Sequence, residues 1–312
     1  MLNWVVAGIG DIATRRVIPA ILSEPRSRLY GVVTRDPAKG AGYGGKVWTD
    51  FDGALQDDAV DAVYIALPVA LHAPLTVAAL AAGKHVLCEK PMALDYAAAC
   101  AMVSAAKESA GLLGVSYYRR LYPKVRRAAE LIAAGAIGRP VMAFSTAHNW
   151  FNAEGGHRAW LLDRALAGGG PLYDTACHRI DLFNLLFGRP AAVAAQLSNV
   201  VFQDEVEDAA TVLVDYEGGV RGIVDARRHS RIARDEFRVI GTEGEIDLSP
   251  LNGPELVYPG GAEALPADDN LHYPLVENFV NAVLDGAPLA SSGETALPTD
   301  WVIAQAASAR LD

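Results

Sequence analysis

Apolar residues recur along this chain in two different rhythms, and the change between them falls near residue 118. Before it, Leu2 to Ala7, Leu29 to Val33, Ala59 to Leu67, Lys84 to Cys88 and Leu112 to Ser116 form short, nearly unbroken apolar runs. Such runs suit strands of a parallel sheet buried on both faces. Between them, Val17, Ile18, Ile21 and Leu22 keep helical spacing, His72 to Ala82 is alanine-rich and ends at Gly83, and Ala93 to Ala110 continues the pattern. Repeated strand–helix units predict a doubly wound α/β domain over residues 1–118.

After residue 118 the alternation stops. Tyr122 to Ala134 reads as a helix closed by Gly135. Pro140 to Trp150, Ala192 to Val201, Ala209 to Tyr216, Val220 to Arg228 and Glu236 to Gly241 read as strands, with Glu217-Gly218-Gly219 as a hairpin turn. Successive strands with short turns predict antiparallel pairing, so residues 119–312 are expected to form an α+β domain with a mainly antiparallel sheet. Ser249 to Asp269, rich in Pro, Gly and Asp, reads as loop. Leu275 to Leu284 and Thr299 to Arg310 read as the last helices.

Composition narrows the class. At 312 residues two domains are the default, and 51% hydrophobic with 21% charged residues fits an ordinary globular protein. A net charge of -10 argues against nonspecific nucleic-acid binding and against an anionic membrane surface. It also repels an anionic cofactor unless local groups reverse the field. No apolar run reaches the roughly 18 residues needed to span a bilayer, and Met1-Leu2-Asn3-Trp4 lacks a basic region before an apolar stretch, so no signal peptide is expected. Cys88, Cys100 and Cys177, an odd set at irregular spacing, imply neither a disulfide framework nor a zinc site. The cytoplasm is the expected compartment.

Three stretches carry chemistry. Gly8-Ile9-Gly10-Asp11-Ile12-Ala13 lies between a strand and a helix, the context a dinucleotide fingerprint requires. Gly8 allows the tight turn, Gly10 lets backbone approach a pyrophosphate, and the helix N-terminus offers N–H groups to the anion. The alternative is an ordinary turn between strand and helix. About 20 residues further on, where an acidic residue would hold the ribose hydroxyls of NAD(H), stand Thr34 and Arg35. A hydroxyl and a guanidinium suit a 2′-phosphate, so NADP(H) is favoured and NAD(H) remains possible through Asp36. Second, Cys88-Glu89-Lys90-Pro91 ends an apolar run, and such strand ends are where α/β sheets bind ligands. Lys90 is there either a catalytic group or a salt-bridge partner. Third, Gly168-Gly169-Gly170-Pro171 starts a helix in which Asp174, His178 and Asp181 fall on one face. A carboxylate one turn before a histidine can orient its ring for proton transfer near neutral pH. The alternative is an acidic first turn favourable to the helix dipole and a core histidine. No third ligand has a metal-site spacing, so no metal is expected.

Taken together these stretches, with Leu71-His72-Ala73-Pro74 and Ala82 to Pro91, resemble the glucose–fructose oxidoreductase / inositol dehydrogenase family over nearly the whole chain. The resemblance implies a Rossmann domain followed by an antiparallel-sheet domain, with the nicotinamide between them. It implies Lys90, Asp174 and His178 as the catalytic set, and cofactor contacts from Gly8 to Ala13, Thr34, Arg35, Leu67, Pro68, His72, Glu89 and Lys90. Two departures stand out: Pro68-Val69 replaces a frequent Pro-Asn, and Ala176 replaces a frequent glycine. The expected activity is hydride transfer between nicotinamide and a carbinol or carbonyl carbon of a sugar, cyclitol or related polyol. Tyr118, Arg120, His157 and Trp160 are further substrate-pocket candidates, since an aromatic face can stack on a sugar ring and polar groups can select hydroxyls. For Trp160 the alternative is packing, and for Arg120 a solvated surface. The expected partners are a small-molecule substrate and copies of the chain itself, as a dimer or tetramer. Rival readings are an oxidoreductase acting on a non-sugar carbonyl or a dihydrodiol, and a catalytically silent dinucleotide sensor. The presence of both Lys90 and His178 favours the enzyme.

Overall fold

The computed structural model describes residues 1–151, 156 and 158–309. The chain divides into two compact units. The first comprises Met1–Tyr118 and Asp268–Leu297; the second comprises Arg119–Ala267 and Pro298–Asp312. The boundary at 118/119 is the one at which the apolar rhythm changes. The assignment of everything after it to one domain is corrected, because residues 268–297 return to the first unit. That segment contains the amphipathic helix Tyr273–Asp285, which buries Leu275, Val276, Phe279 and Val280. Phe279 packs its ring 5.2 Å from Trp4, the fully buried tryptophan of the first strand.

Six parallel strands make the sheet of the first unit: β1 Leu2–Ala7, β2 Ser27–Val33, β3 Lys46–Trp48, β4 Ala62–Ile65, β5 His85–Cys88 and β6 Leu113–Val115. Their order is β3-β2-β1-β4-β5-β6. The chain reverses direction of winding between β1 and β4, the switch point at which such sheets bind dinucleotides outside the strand ends. β4 is buried throughout, as the unbroken apolar run requires. Helices His72–Ala81 and Tyr96–Glu108 provide crossovers.

The second unit carries an eight-stranded sheet: β7 Pro140–Trp150, β8 Pro190–Ser198, β9 Ala209–Tyr216, β10 Arg221–Arg227, β11 His229–Gly241, β12 Glu245–Asp247, β13 Glu255–Tyr258 and β14 Gly261–Ala264. The order is β14-β13-β12-β11-β7-β10-β9-β8, antiparallel except where β10 runs beside β7. Along β9 and β10 alternate residues are buried, among them Val212, Val214, Val224 and Ala226, while Leu213 and Ile223 on the other face are half-buried. The loop expected over 249–269 instead contains β13 and β14. Of β13 only Leu256 is buried, so these edge strands carry no apolar alternation strong enough to read. The last helix, Gly293–Ser308, starts a turn before Pro298, the residue nearest its expected beginning.

Candidate active site

In the first unit the sequence-derived cofactor residues gather at the carboxyl ends of adjacent parallel strands. Gly8 leaves β1 at φ +90°, and a Cβ there would come 2.5 Å from the Ala66 carbonyl oxygen. Only glycine makes this turn. Ile9 and Ala13 are buried and anchor the turn, while Asp11 is exposed. A Cβ on Gly10 would meet nothing within 4 Å. The space beside Gly10 is therefore open, and the helix that follows presents first-turn N–H groups, which have no intrahelical acceptor. An open backbone cradle at a helix start fits a pyrophosphate.

At the end of β2, the Asp36 carboxylate accepts the Lys39 N–H at 3.2 Å and caps the short helix Pro37–Ala41. The Asp36 N–H donates to Thr34 Oγ1. Arg35 is exposed and makes no hydrogen bond or ion pair among the described residues. After β4, the Leu67 carbonyl accepts from His72 Nε2 at 2.8 Å, and the Pro91 carbonyl lies 2.8 Å from His72 Nδ1. His72 is 1% exposed. It ties together the loops that follow β4 and β5. Burial pushes its imidazole pKa down, while the two carbonyls pull it up.

Glu89 and Lys90 follow β5 directly. The Glu89 carboxylate is turned into the protein: Oε1 accepts from the Tyr64 hydroxyl at 2.7 Å, and Oε2 from the Lys90 N–H at 3.2 Å. Tyr64 also meets Ser116 Oγ at 3.0 Å. Burial alone would push the Glu89 carboxyl up; His272, Tyr64 and Lys90 outweigh it and hold it at about 2. Burial and the Glu89 charge push the Tyr64 phenol well above its usual range. Tyr118 is 8% exposed and stacks its ring 4.6 Å from that of His272.

In the second unit the glycine run is a packing device. A Cβ on Gly170 would fall 1.9 Å from the Glu207 carbonyl oxygen, and the Gly170 and Leu172 N–H groups donate to Glu207 Oε1 at 2.8 and 3.1 Å. The helix does not start as an ideal α-helix. Leu172–Ala176 is a π turn, and α-helix begins at Cys177. The i→i+5 turn thus carries Asp174, and the α-helix that follows carries His178 and Asp181. The Asp174 side chain is 41% exposed and lies 4.0 Å from the Arg158 guanidinium. His178 is buried in the first α-helical turn. Asp181 is fully buried: Arg120 Nε donates to it at 2.8 Å and a second guanidinium N–H bonds its other oxygen. Burial pushes the Asp181 carboxyl up against the pull of Arg120. Arg120 is thus no solvated surface group.

A cavity of about 160 Å³ opens beside Asp174, lined among others by Asn149, Phe151, Arg158, Thr175 and Arg228. None of those five stands out from the sequence as a site residue, because they come from strand ends, loops and the turn Leu172–Ala176, with no shared spacing. Trp160 is half-buried in the turn Ala159–Leu162 and is not part of this lining. His157 lies outside the described residues. Among the described residues no three His, Cys, Asp or Glu side chains cluster as metal ligands, and no helix is long and apolar enough to cross a membrane.

A parallel sheet with a dinucleotide turn at its switch point, followed by a mainly antiparallel sheet, defines a nicotinamide-dependent oxidoreductase architecture. The chain matches the model of an oxidoreductase family with an NAD-binding Rossmann fold over residues 2–117, and that of the GFO/IDH/MocA C-terminal domain over 125–247. It is 30% identical to 1,5-anhydro-D-fructose reductase of Ensifer adhaerens, across 99% of this chain and 97% of that one. It is 28% identical to the D-xylose 1-dehydrogenase (NADP(+)) of Haloarcula marismortui, across 80% and 72%. The crystal structure of aldose-aldose oxidoreductase from Caulobacter crescentus, complexed with glycerol, superposes with a TM-score of 0.88 at 28% identity, covering 99% of this chain and 97% of that one. The chain belongs to the GFO/IDH/MocA family, as the sequence resemblance implied, and is an NAD(P)-dependent oxidoreductase.

Proposed function

We propose that this protein is an NADP(H)-preferring dehydrogenase or reductase of a sugar, cyclitol or related polyol, with Lys90, His178 and Asp174 as its catalytic set. The observation that carries this reading is the placement of Lys90 on the same sheet edge as the cofactor turn. Gly8 follows β1 and Lys90 follows β5, with only β4 between those strands. The substrate class is supported by the sugar-acting relatives, and the cofactor preference by the unengaged Arg35 beside Thr34.

When bound, the nicotinamide accepts or supplies the hydride. Gly8 to Ala13 would hold the pyrophosphate, Arg35 and Thr34 the 2′-phosphate, and Leu67 and Pro68 would flank the ring. Lys90 Nζ donates to the reacting oxygen and stabilises negative charge on it. His178 takes the hydroxyl proton on a ring nitrogen as the carbinol carbon gives up its hydrogen with the bonding electron pair and becomes a carbonyl, and returns the proton in the reverse direction. Asp174 binds a neighbouring substrate hydroxyl. A positioned acid/base of this kind contributes roughly 10² to 10⁴ in rate. His72 and Glu89, with side chains spent on backbone carbonyls and on the interior, act here by holding loops rather than by touching cofactor. The half-open face of the antiparallel sheet, with Leu213 and Ile223 on it, supports a homo-oligomer, and three cysteines outside any disulfide fit the cytoplasm.

Incubation with NADP⁺ or NAD⁺ and a panel of aldoses, inositols and linear polyols, read by reduced-nicotinamide absorbance, tests the reading. Turnover is expected on at least one, with kcat in Lys90→Met and His178→Asn lower by about 10² or more while NADP⁺ still binds. Near-wild-type turnover in both variants overturns the catalytic assignment. Tighter binding of NAD(H) than NADP(H), unaffected by Arg35→Ala, overturns the cofactor preference.

A further inference from the structure

The segment 268–297 brings a buried histidine into the first unit. His272 is 0% exposed and precedes the helix Tyr273–Asp285. Its backbone is held from both sides: the N–H donates to Asn270 Oδ1 at 3.1 Å, and Asn270 Nδ2 donates in turn to the Arg16 carbonyl at 2.8 Å. The imidazole stacks on Tyr118, and Nε2 stands 3.5 Å from Glu89 Oε1. Neither ring nitrogen makes a hydrogen bond among the described residues. A polar ring buried without hydrogen bonds is destabilising, and an apolar residue could fill the same space. What a phenylalanine could not supply is a positive or proton-donating edge facing the Glu89 carboxylate.

We propose that His272 is a positioning residue for Lys90, acting through Glu89. The proposal rests on the catalytic role of Lys90 stated above. Glu89 stands between the two: one oxygen faces Tyr64 and His272, and the other accepts the Lys90 N–H. A carboxylate this buried stays ionised only while paired. With the His272 edge removed, Glu89 keeps a neutral phenol and the charge of Lys90, and its acceptor grip on the Lys90 backbone slackens. The ionisable groups facing the imidazole are Glu89 after β5, Tyr64 on β4, and Tyr118; Lys90 lies beyond Glu89. The Lys90 backbone is thereby anchored to a segment about 180 residues later in the chain. A displacement of roughly 1 Å in a group that touches the reacting atoms costs on the order of 10²-fold in rate.

The test compares His272→Phe, His272→Gln and Lys90→Met below their melting temperatures, with NADP⁺ and the best substrate of the panel above. His272→Phe is expected to lower kcat at least ten-fold and change its pH profile, with the NADP⁺ Kd unchanged. In the apoprotein, the Lys90 amide should exchange its hydrogen faster. His272→Gln, whose amide presents a proton-donating edge to Glu89, should recover most of both. A His272→Phe protein with normal kcat and normal Lys90 exchange overturns the proposal, as does one that loses only melting temperature. If Lys90→Met also retains turnover, the catalytic reading itself falls. If Lys90→Met is inactive and His272→Phe is unimpaired, only the role of His272 falls.

Discussion

Gly8 and Gly10 stand two residues apart and are glycine for different reasons. Gly8 is required by the chain: its φ of +90° and the nearby Ala66 carbonyl leave no room for a side chain. Gly10 faces open space, so the folded protein itself does not need it. Gly10→Ala should leave the melting temperature unchanged or raise stability by up to about 1 kcal/mol, while weakening NADP(H) binding at least ten-fold. Unaltered NADP(H) affinity in a titration would remove this position from the cofactor cradle. Glu89 gives a pH prediction of defined sign. Its carboxyl stands at about 2, below the ordinary 4.5. Its contribution to stability is therefore complete above about 4.5 and is lost as the pH falls toward 2. The gap corresponds to about 3 kcal/mol. Unfolding free energies at pH 6 and pH 3 should fall more for the native protein than for Glu89→Gln; parallel losses would contradict the buried charge. At this scale the positions of Lys90 and the glycine turn at strand ends were legible, because the apolar runs before them mark the strands. Arg158 and Arg228 were not, since no spacing in the chain signals two residues about 70 positions apart lining one cavity.

Elements were legible where they are buried on both sides. The unbroken apolar runs of β1, β4 and β5 have no other use than a covered parallel sheet, and their positions follow from them. The strands β13 and β14 escaped because they edge the sheet and bury little, so hairpin residues such as Pro259 and Gly260 dominate the local composition. The π turn at Leu172–Ala176 escaped for another reason. Its setting is tertiary: Glu207, from outside the helix, takes the Gly170 and Leu172 N–H groups where the chain enters it, and no local periodicity signals that. Helical periodicity presumes 3.6 residues per turn and places Asp174 with His178 and Asp181. In the structure Asp174 lines the cavity, while Asp181 is buried against Arg120. The same residues are therefore still present, but with separate surroundings.

Across the molecule the chain passes between units three times, after Tyr118, after Ala267 and after Leu297. No local pattern announces the second and third passages, because a helix that packs on a distant sheet has the same periodicity as one that packs nearby. The second unit is consequently assembled from two separated stretches, and the Arg120–Asp181 pair lies where they meet. Arg120 comes from the start of the unit and Asp181 from its central helix. Thr299, in the final stretch, donates to Asp181 at 3.3 Å and accepts from Asn184 at 3.0 Å. Removing one partner leaves a buried charge uncompensated, at a cost of about 3–5 kcal/mol. Arg120→Met and Asp181→Leu should each lose that much in denaturant unfolding. The double variant, which buries no ion, should recover to within about 1–2 kcal/mol of the native protein, since apolar replacement of a whole buried pair is often neutral. The double variant also separates structure from recognition: if Arg120 serves the fold, its KM for substrate stays near the native value once it is folded. A double variant as stable as the native protein but with a KM raised ten-fold or more would return Arg120 to the substrate.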